Sequence, residues 1–572
     1  MKKKNIAEGT AAEIRRADAG SRIGLRMTAL LLSAALLAPA FLSCSDSEGS
    51  GGQGDSGIGE TTASPVLSEP AASEVQPDPE PEPTAEPEQD APSEPAAPEP
   101  EPVPDPEPAE ETPAPEQAAE EAQADTASKS WSDPERYALY LGRAKEYAGI
   151  LHDLYWDAGS ELSSLTPGAG VPHLWPYTEQ LGMVNGILAA MGADDPDRAF
   201  YVSWLDELVG GLRHYRIRRV KLVDGQSWND PDNVLAAFGE NDGTAHSYAL
   251  YSSSRHDKKQ DYLIVTPDAV YFDDNVWVAK ELVAAYVNTG NEAYLNEAVN
   301  VVNWILGEGY ENAGALAGIY WKWSAKFLFA GGNYSDCDHA SLNACSTVSC
   351  AMVLAELCEA VPGTAYEDRA ADWLAKADAI LRFSDEAFRD RGTKCLYDKV
   401  FLKKGFEKSS DLKSQIQKTD NAQYAYNTGT YLTAGAVLFR LLSPADPDRA
   451  AEILSNALAS AKGADKKFAD KTVKAGQYSY PSHSWFTSFL LSGFSDLRPY
   501  GEDCGEYADH MRSALDYAWE NNRASDGLVS PSWIKGWSRF TNNSPTSEDN
   551  PRQILYQSAN VHCYAMLAEY YG

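Results

Sequence analysis

The sequence has no apolar run long enough to cross a bilayer as a helix. The longest run, Met27–Leu42, spans about 16 residues and contains Pro39, whereas a membrane-spanning helix needs about 20 residues. The chain also has no Cys-x-x-Cys pair and no His-Glu-x-x-His motif. No phosphate-cradling glycine loop or Ser-His-Asp order stands out. We therefore expect no metal centre and no cofactor.

Residues 45–128 contain no lysine, no arginine and no aromatic residue. They are rich in proline and glutamate, as in Pro77–Pro83, and account for most of the net charge of −36. Such a segment repels itself and has little apolar surface to bury, so we predict a disordered acidic linker over residues 44–130. The remaining acidity argues against a nucleic-acid partner, because phosphate binding needs a concentrated basic face.

The first 43 residues have the pattern of an export signal. Several Lys and Arg residues precede the apolar run, which ends at Ser43-Cys44. Cys44 resembles the acylated cysteine of bacterial lipoproteins, so we expect lipidation at Cys44. That predicts an exported protein anchored to a bacterial outer membrane, with no other membrane contact. The alternative is an ordinary secretory signal that is cleaved nearby, with Cys44 incidental.

Residues 131–572 alternate between two kinds of helix-period segment. One kind has a clear polar face, as in residues 292–306, and is typical of helices that pack on a core by one side. The other kind is apolar almost all round and predicts buried helices. The polar-faced segments lie near 136–156, 196–212, 292–306, 366–382, 447–461 and 507–520. The buried segments lie near 178–191, 274–288, 345–361, 427–442, 484–496 and 557–570.

Six buried helices in strict alternation with six amphipathic ones predict an all-α (α/α)₆ toroid. Recurring openings such as Asp195–Ala199 and Asp446–Ala450 indicate repeated helical hairpins. An open solenoid would leave its end helices exposed. We expect the domain 131–572 to be a monomer, with the buried set as the inner ring.

The starts of the inner helices are rich in aromatic, amide and hydroxyl side chains, as in the segments 173–179 and 481–485. Aromatic faces stack on sugar rings, and the polar groups match sugar hydroxyls. Asn, Ser and Asp are also the favoured N-cap residues, so capping explains part of this pattern. The aromatic residues are the part that capping does not explain.

Asp273 and Asp274 stand side by side at one of these starts, in the segment 271–277. Adjacent side chains within a helix diverge by about 100°. If the first acid is still outside the helix, both can face one cleft at the roughly 5 Å separation of a retaining glycosidase. Repulsion between the two charges would raise one pKa, as an acid catalyst requires. The alternative is a plain cap with an acidic neighbour.

The chain resembles glycoside hydrolase family 76 over roughly residues 135–572. The resemblance rests on "YFDDNVW", "GIYWKW", "LNACSTVSC" and "YNTGTYLTAG". It implies an endo-acting α-1,6-mannanase with Asp273 as nucleophile and Asp274 as acid/base. Ala317, Tyr320 and Leu342 depart from the family pattern and bear on subsite specificity.

Motifs and helix-start aromatics together give the substrate-binding candidates, which are Tyr320, Trp321, Asn343, Tyr426, Asn427, Trp485 and Trp533. We therefore expect mannan or mannooligosaccharides as substrate. Two alternatives stay open: a glycan-binding protein without turnover, and a toroidal glycosidase or transglycosidase for another bond. The long segments 213–270 and 389–423 are the expected specificity loops. The second is lysine-rich, and we expect its lysines to form a solvated face, with binding of phosphorylated mannan as the alternative. Seven cysteines after residue 44 allow a few disulfides.

Overall fold

The computed structural model describes residues 132–572, with gaps at 158, 160–161, 218, 222–233, 238–247, 256–263, 266–269, 324–340, 475–476, 481–482, 542–543, 546 and 548. The predicted signal, Cys44 and the acidic linker lie outside these residues, as does Cys337.

Twelve long helices dominate the described residues, and each predicted segment is confirmed. Their order is α1 Pro134–Tyr155, α2 Leu174–Ala190, α3 Arg198–Gly211, α4 Phe272–Thr289, α5 Glu292–Trp304, α6 Ala344–Ala360, α7 Ala370–Ala387, α8 Ala425–Leu442, α9 Pro447–Phe468, α10 Ser484–Leu497, α11 Glu502–Asn521 and α12 Ile554–Tyr571. Most helix ends lie within a few residues of the predicted limits, whereas α9 extends seven residues past the predicted end at residue 461.

The even-numbered helices form a closed inner ring. Each packs against the next even helix, from α2 to α4 and on to α12, which returns to α2. The odd-numbered helices pack outside them, as α9 does on α8 and α7 on α6. The all-α toroid of six inner and six outer helices is therefore confirmed.

Inner helices are buried on nearly every side, whereas outer helices are buried on one. In α6, only three residues, Glu356, Glu359 and Ala360, lie outside the buried class. In the outer helix α1, buried residues recur at helical spacing from Tyr140 to Tyr155. This difference explains why the sequence shows two patterns, one with apolar residues on all sides of the helix and one with apolar residues on a single face.

The connections between helices are of two kinds, short and long, and the long ones determine where the site lies. The connections that follow inner helices are short, at residues 191–197, 290–291, 361–369, 443–446 and 498–501. Those that precede inner helices are long, at residues 156–173, 212–271, 305–343, 388–424, 469–483 and 522–553. All the long connections therefore gather at the rim where the inner helices begin.

Small strands occur only in the long connections, among the residues described. They are β1 Trp156–Asp157, β2 Leu162–Ser163, β3 Arg219–Lys221, β4 Val234–Ala237, β5 Ile264–Val265, β6 Tyr310–Glu311, β7 Gly318–Ile319, β8 Ser341–Asn343, β9 Lys399–Leu402, β10 Ile416–Asp420, β11 Asp470–Lys474 and β12 Gln477–Ser479. The antiparallel set β10-β9-β8 ties the predicted specificity loop to the start of α6.

Two negative findings concern the described part of the chain. None of its helices is both long and apolar enough to span a bilayer. Its six cysteines, Cys345, Cys350, Cys358, Cys395, Cys504 and Cys563, are buried free thiols. No disulfide therefore joins the cysteines that the structure describes.

Candidate active site

None of the six inner helices begins with a side-chain cap. Their N-cap residues are His173, Tyr271, Asn343, Tyr424, His483 and Gln553, and none of these side chains accepts a hydrogen bond from the first turn. Three outer helices are capped, by Asp133, Asn291 and Asp446. The N-cap side chains of the inner helices are therefore not used to cap those helices.

Asp273 and Asp274 both lie inside the first turn of α4, since that helix begins at Phe272 and its N-cap residue is Tyr271. The expectation that the first acid precedes the helix is wrong. The two side chains reach different neighbours, as their angular spacing within a helix requires. Free N–H groups and the helix dipole at this end stabilise negative charge there.

Two donors among the described residues form hydrogen bonds with Asp273. Trp321 Nε1 lies 3.2 Å from Oδ2, and the Asp274 backbone N–H lies 3.1 Å from Oδ1. Burial raises the pKa of Asp273 above the usual carboxyl range, and the groups around the carboxylate, Cys345, the Asp274 N–H and Trp321, oppose the rise because they favour the ionised form.

Among the residues that the structure describes, Asp274 has one side-chain partner, the hydroxyl of Ser253 from the long connection before α4. Burial raises the pKa of Asp274, and the neighbouring charge of Asp273 raises it further. The two acids therefore differ in kind: Asp273 is the better-stabilised carboxylate, and Asp274 is the group that holds a proton to higher pH. Such a difference is what divides a nucleophile from an acid/base.

Trp321 forms one wall beside the pair. The backbone of this segment meets the start of α4, where Phe272 N donates to Trp321 O at 2.8 Å. The Trp321 ring stands edge-on to Tyr271 at 5.0 Å, and Lys322 Nζ lies 5.2 Å from the Tyr271 ring centre. Trp321 is thus fixed against Asp273 by its ring nitrogen and by its backbone.

Tyr320 has a different position from its neighbour Trp321. Its side chain is 4% exposed, and its hydroxyl donates to Glu311 Oε2 at 2.7 Å. Since successive side chains of an extended segment point to opposite sides, Tyr320 lies on the side of this segment away from Asp273. The expected contact between Tyr320 and substrate stays a prediction, and little of the Tyr320 side chain is exposed.

A row of aromatic rings forms the opposite part of the rim. Tyr426 stacks on Phe486 at 4.7 Å, and the exposed Tyr424 stacks on Phe486 at 6.0 Å. Trp485 lies 5.4 Å from Tyr426 and 4.7 Å from Trp175. Of these five, the sequence predicted only Tyr426 and Trp485 as binding residues; Tyr424, Phe486 and Trp175 stand in the same helix starts and were not singled out.

Polar side chains fix the position of the Trp485 ring. Its Nε1 donates to Glu179 Oε2 at 2.9 Å, and His562 Nδ1 lies 3.1 Å from Glu179 Oε1. A small cavity inside the ring is lined by Thr178, Glu179, Trp277, Glu281, Trp485 and Phe489. Trp485 itself is only 3% exposed, so it supports the aromatic row more than it offers an open face.

The architecture has counterparts among solved structures. A family 76 glycoside hydrolase from a bovine Bacteroides thetaiotaomicron strain is 18% identical, with a TM-score of 0.55 over 78% of this chain and 79% of that chain. A family 76 mannosidase from Bacteroides thetaiotaomicron VPI-5482 is 17% identical, with a TM-score of 0.52 over 75% of this chain and 98% of that one. A family 76 α-mannanase from Bacteroides thetaiotaomicron is 14% identical, with a TM-score of 0.51 over 76% and 98%.

The chain has the fold of the family 76 glycoside hydrolases. No family model matches its sequence, and no curated protein matches it either. Sequence identities below one fifth establish the fold, and the chemistry has to be argued from the residues themselves.

Three other predicted binding residues are buried in this family 76 fold. Asn343 is 4% exposed and its Oδ1 accepts from Ser341 Oγ at 2.7 Å. Trp533 is 5% exposed and its Nε1 donates to Asn560 Oδ1 at 2.8 Å. Asn427 is fully buried, and its side-chain nitrogen and oxygen have no hydrogen-bond partner among the described residues. Their substrate contacts stay predictions, since little of each side chain is accessible.

Asp398 is a further carboxylate at this rim that sequence reasoning missed. It directly precedes β9, and its carbonyl oxygen accepts from Ala344 N at 2.7 Å, which joins it to the start of α6. Its charge acts on both Cys345 and Tyr426, and burial raises its own pKa. The lysines around it had pointed to a solvated loop, so nothing in the sequence singled it out.

No metal centre emerges from the geometry. Within the described ranges, no three His, Cys, Asp or Glu side chains come close enough together to hold a metal ion. Asp273 and Asp274 are hydrogen-bonded to the Trp321 and Ser253 side chains. The chemistry that this arrangement supports is proton transfer and nucleophilic attack by two unlike acids in an aromatic setting.

Proposed function

We propose that this protein is a retaining glycoside hydrolase that cleaves the α-1,6-mannosidic backbone of mannan from within. The observation that carries the proposal is the unequal environment of Asp273 and Asp274 at the uncapped start of an inner helix. A pair of structural caps would not need one carboxylate bonded to a tryptophan ring N–H and a backbone N–H, and a neighbour bonded to a serine hydroxyl.

In the proposed reaction, Asp273 attacks the anomeric carbon while Asp274 gives its proton to the departing glycosidic oxygen. A covalent glycosyl ester on Asp273 results. Asp274, now ionised, takes a proton from water, which attacks the ester and releases the sugar with its configuration retained. The donors around Asp273 keep it ionised for the first step, and the raised pKa of Asp274 keeps it protonated for the same step.

Mannan is favoured as substrate by two observations. The motifs around Asp273 and Tyr426 resemble family 76, and two of the solved structures with this fold carry the names mannosidase and α-mannanase. The aromatic row from Tyr424 to Trp175 offers ring faces for sugars. Mannan is a neutral glycan, so this assignment does not require a cluster of charged side chains that would bind phosphate or sulfate groups.

The test is incubation of the purified protein with debranched α-1,6-mannan, followed by thin-layer chromatography and mass measurement of the products. We expect a ladder of mannooligosaccharides, which Asp273→Asn and Asp274→Asn abolish. Asp448→Asn is the matched control, since Asp448 occupies the same second helical position in the outer helix α9 and is exposed. No release of mannooligosaccharides by the wild type would overturn the proposal.

Two other outcomes identify the competing functions. Tight mannan binding without any product, unchanged in the Asp273→Asn variant, would indicate a glycan-binding protein. Products with a different bond or with added sugars would indicate another glycosidase or a transglycosidase.

We also propose export and lipid attachment at Cys44. The support is the basic leader and apolar run before Ser43-Cys44. Labelled palmitate should be incorporated in bacterial cells, and Cys44→Ser should abolish incorporation. Incorporation that persists in that variant would refute the assignment.

A further inference from the structure

Glu179 connects three inner helices through its side chain. It lies on α2 and is 6% exposed. Its Oε2 accepts a hydrogen bond from Trp485 Nε1 of α10 at 2.9 Å, and its Oε1 lies 3.1 Å from His562 Nδ1 of α12. Both carboxyl oxygens are therefore fixed, one by an indole N–H and the other by an imidazole nitrogen.

The Trp485 ring that Glu179 holds is the buried support of the aromatic row. Its centre lies 5.4 Å from Tyr426, 4.7 Å from Trp175 and 4.9 Å from Phe489. Tyr426 in turn stacks on Phe486 at 4.7 Å, and these two rings are partly exposed, whereas Trp485 is buried. A rotation of the Trp485 ring would therefore displace rings that lie nearer the surface.

Packing alone does not enclose the Trp485 ring. The ring forms part of the wall of the cavity inside the ring of helices, which has a volume of about 10 Å³, room for about one water molecule. A second carboxyl group, that of Glu281, lines the same cavity but has other partners, Lys280 Nζ at 2.6 Å and Asn185 Nδ2 at 3.0 Å. The hydrogen bond to Glu179 is therefore the directional contact that selects one orientation of the Trp485 ring.

We propose that Glu179 is a positioning residue for substrate binding: its carboxyl group sets the orientation of the Trp485 ring and, through that ring, the aromatic row that receives the sugar chain. The proposal rests on the proposed function and deepens it. Glu179 acts from inside the ring of helices and does not need to touch the substrate. His562 holds its second oxygen, so the carboxyl group itself has a fixed orientation.

A side chain at position 179 that only filled space would behave differently. In that case any unbranched side chain of similar size would replace Glu179. If Glu179 positions Trp485, the replacement must carry an oxygen that accepts the indole proton. Glutamine keeps such an oxygen and methionine does not, while both are unbranched and similar in size to glutamate. The difference between these two substitutions therefore isolates the hydrogen bond.

The experiment compares Glu179→Met and Glu179→Gln in the full-length protein, alone and combined with Trp485→Phe. We expect Glu179→Met to raise KM for mannooligosaccharides about threefold to tenfold, the effect of one lost hydrogen bond, with kcat nearly unchanged. Glu179→Gln should keep KM within about twofold of wild type, because its amide oxygen still accepts. Phenylalanine has no N–H, so the two Glu179 variants should have equal KM in the Trp485→Phe background. Glu179→Leu is a second variant without an acceptor, for use if Glu179→Met does not fold.

A second measurement does not depend on turnover. Crystal structures of Glu179→Met and Glu179→Gln show the orientation of the Trp485 ring directly. We expect the ring to be turned, and Tyr426 displaced, in Glu179→Met, whereas both should keep their wild-type positions in Glu179→Gln. If the wild type cleaves no mannan, the proposed function fails, while these structures still decide whether Glu179 positions the aromatic row.

The proposal is overturned if Glu179→Met and Glu179→Gln have the same KM, or if their difference persists in the Trp485→Phe background. Either result would mean that the Glu179 carboxyl group does not act through the Trp485 N–H. A Trp485 ring that keeps its wild-type orientation in the crystal structure of Glu179→Met would overturn it as well.

Discussion

The backbone N–H of Asp274 donates to Asp273 Oδ1 at 3.1 Å. The residue that carries one acid therefore orients the other, and the two carboxyl groups interact strongly enough that the charge of Asp273 raises the pKa of Asp274. A helix start makes this contact possible, because its N–H groups have no partner within the helix. Local backbone geometry thus supplies part of the active-site alignment.

Asp274→Asn should stabilise the protein while it abolishes activity. The folded state holds a second acid against burial and a like charge, with one hydroxyl in compensation. We expect the free energy of unfolding to rise by about 1–2 kcal/mol near neutral pH. Asp273→Asn should gain less, since it also disturbs the hydrogen bonds from Trp321 Nε1 and the Asp274 backbone N–H. Thermal melting of the two variants beside the wild type measures the difference, and a lower melting temperature for Asp274→Asn would contradict it.

The gain from Asp274→Asn should grow with pH. The folded-state pKa of Asp274 is raised above its unfolded value, so the folded protein binds this proton more tightly than the unfolded chain does. The resulting stability is fully present below about pH 4 and is lost as pH rises through the folded pKa. The asparagine has no proton to lose. Melting temperatures of wild type and variant should therefore converge in acid and separate toward alkaline pH.

Ser253→Ala should move the alkaline limb of activity and leave the acid limb in place. The Ser253 hydroxyl favours the ionised form of Asp274. Without it, Asp274 keeps its proton to higher pH, and we expect the alkaline limb of kcat/KM to rise by about 0.5–1 pH unit. The control is Ser254→Ala, since Ser254 is the exposed next residue. A shift of the acid limb instead would reverse the assigned roles of Asp273 and Asp274.

The helices could be predicted from the sequence because burial produces a periodic pattern of apolar residues. Inner helices must be apolar all round and outer helices on one face, and both patterns are local. The start of α4 was misplaced by a residue or two, since helix ends depend on contacts such as that between Phe272 and Trp321. Those contacts join residues far apart in the chain.

The site was only partly predictable for the same reason. Asp273 and Asp274 stand out as adjacent acids, but Ser253, which bonds to Asp274, comes from a separate part of the chain. Trp533 and Asn343 were predicted to bind substrate because aromatic and amide side chains suit sugars. The fold instead pairs them with Asn560 and Ser341, which the sequence pattern does not show.

Tyr424→Ala should weaken substrate binding without loss of stability. Tyr424 is 41% exposed and stacks on Phe486 at the site rim, so its ring is available to a sugar. We expect KM to rise about fivefold, equivalent to about 1 kcal/mol, with kcat nearly unchanged. Phe200→Ala is the control, because Phe200 is 48% exposed at the start of the outer helix α3, on the opposite rim. Equal effects of the two variants would remove Tyr424 from the binding surface.

Gly429→Ala should destabilise the ring and reduce activity together. A Cβ at Gly429 would lie 2.3 Å from the backbone carbonyl carbon of Phe489, so α8 and α10 touch through their backbones there. One added methyl group must push the helices apart, at about 1–3 kcal/mol, and α8 carries Tyr426 at its start. Gly142→Ala in α1, where nothing lies within 4 Å, should instead stabilise by about 0.5–1 kcal/mol. Melting temperatures and kcat/KM of both variants test this, and a Gly429→Ala protein as stable as wild type would show that the motif glycine is free of packing constraint.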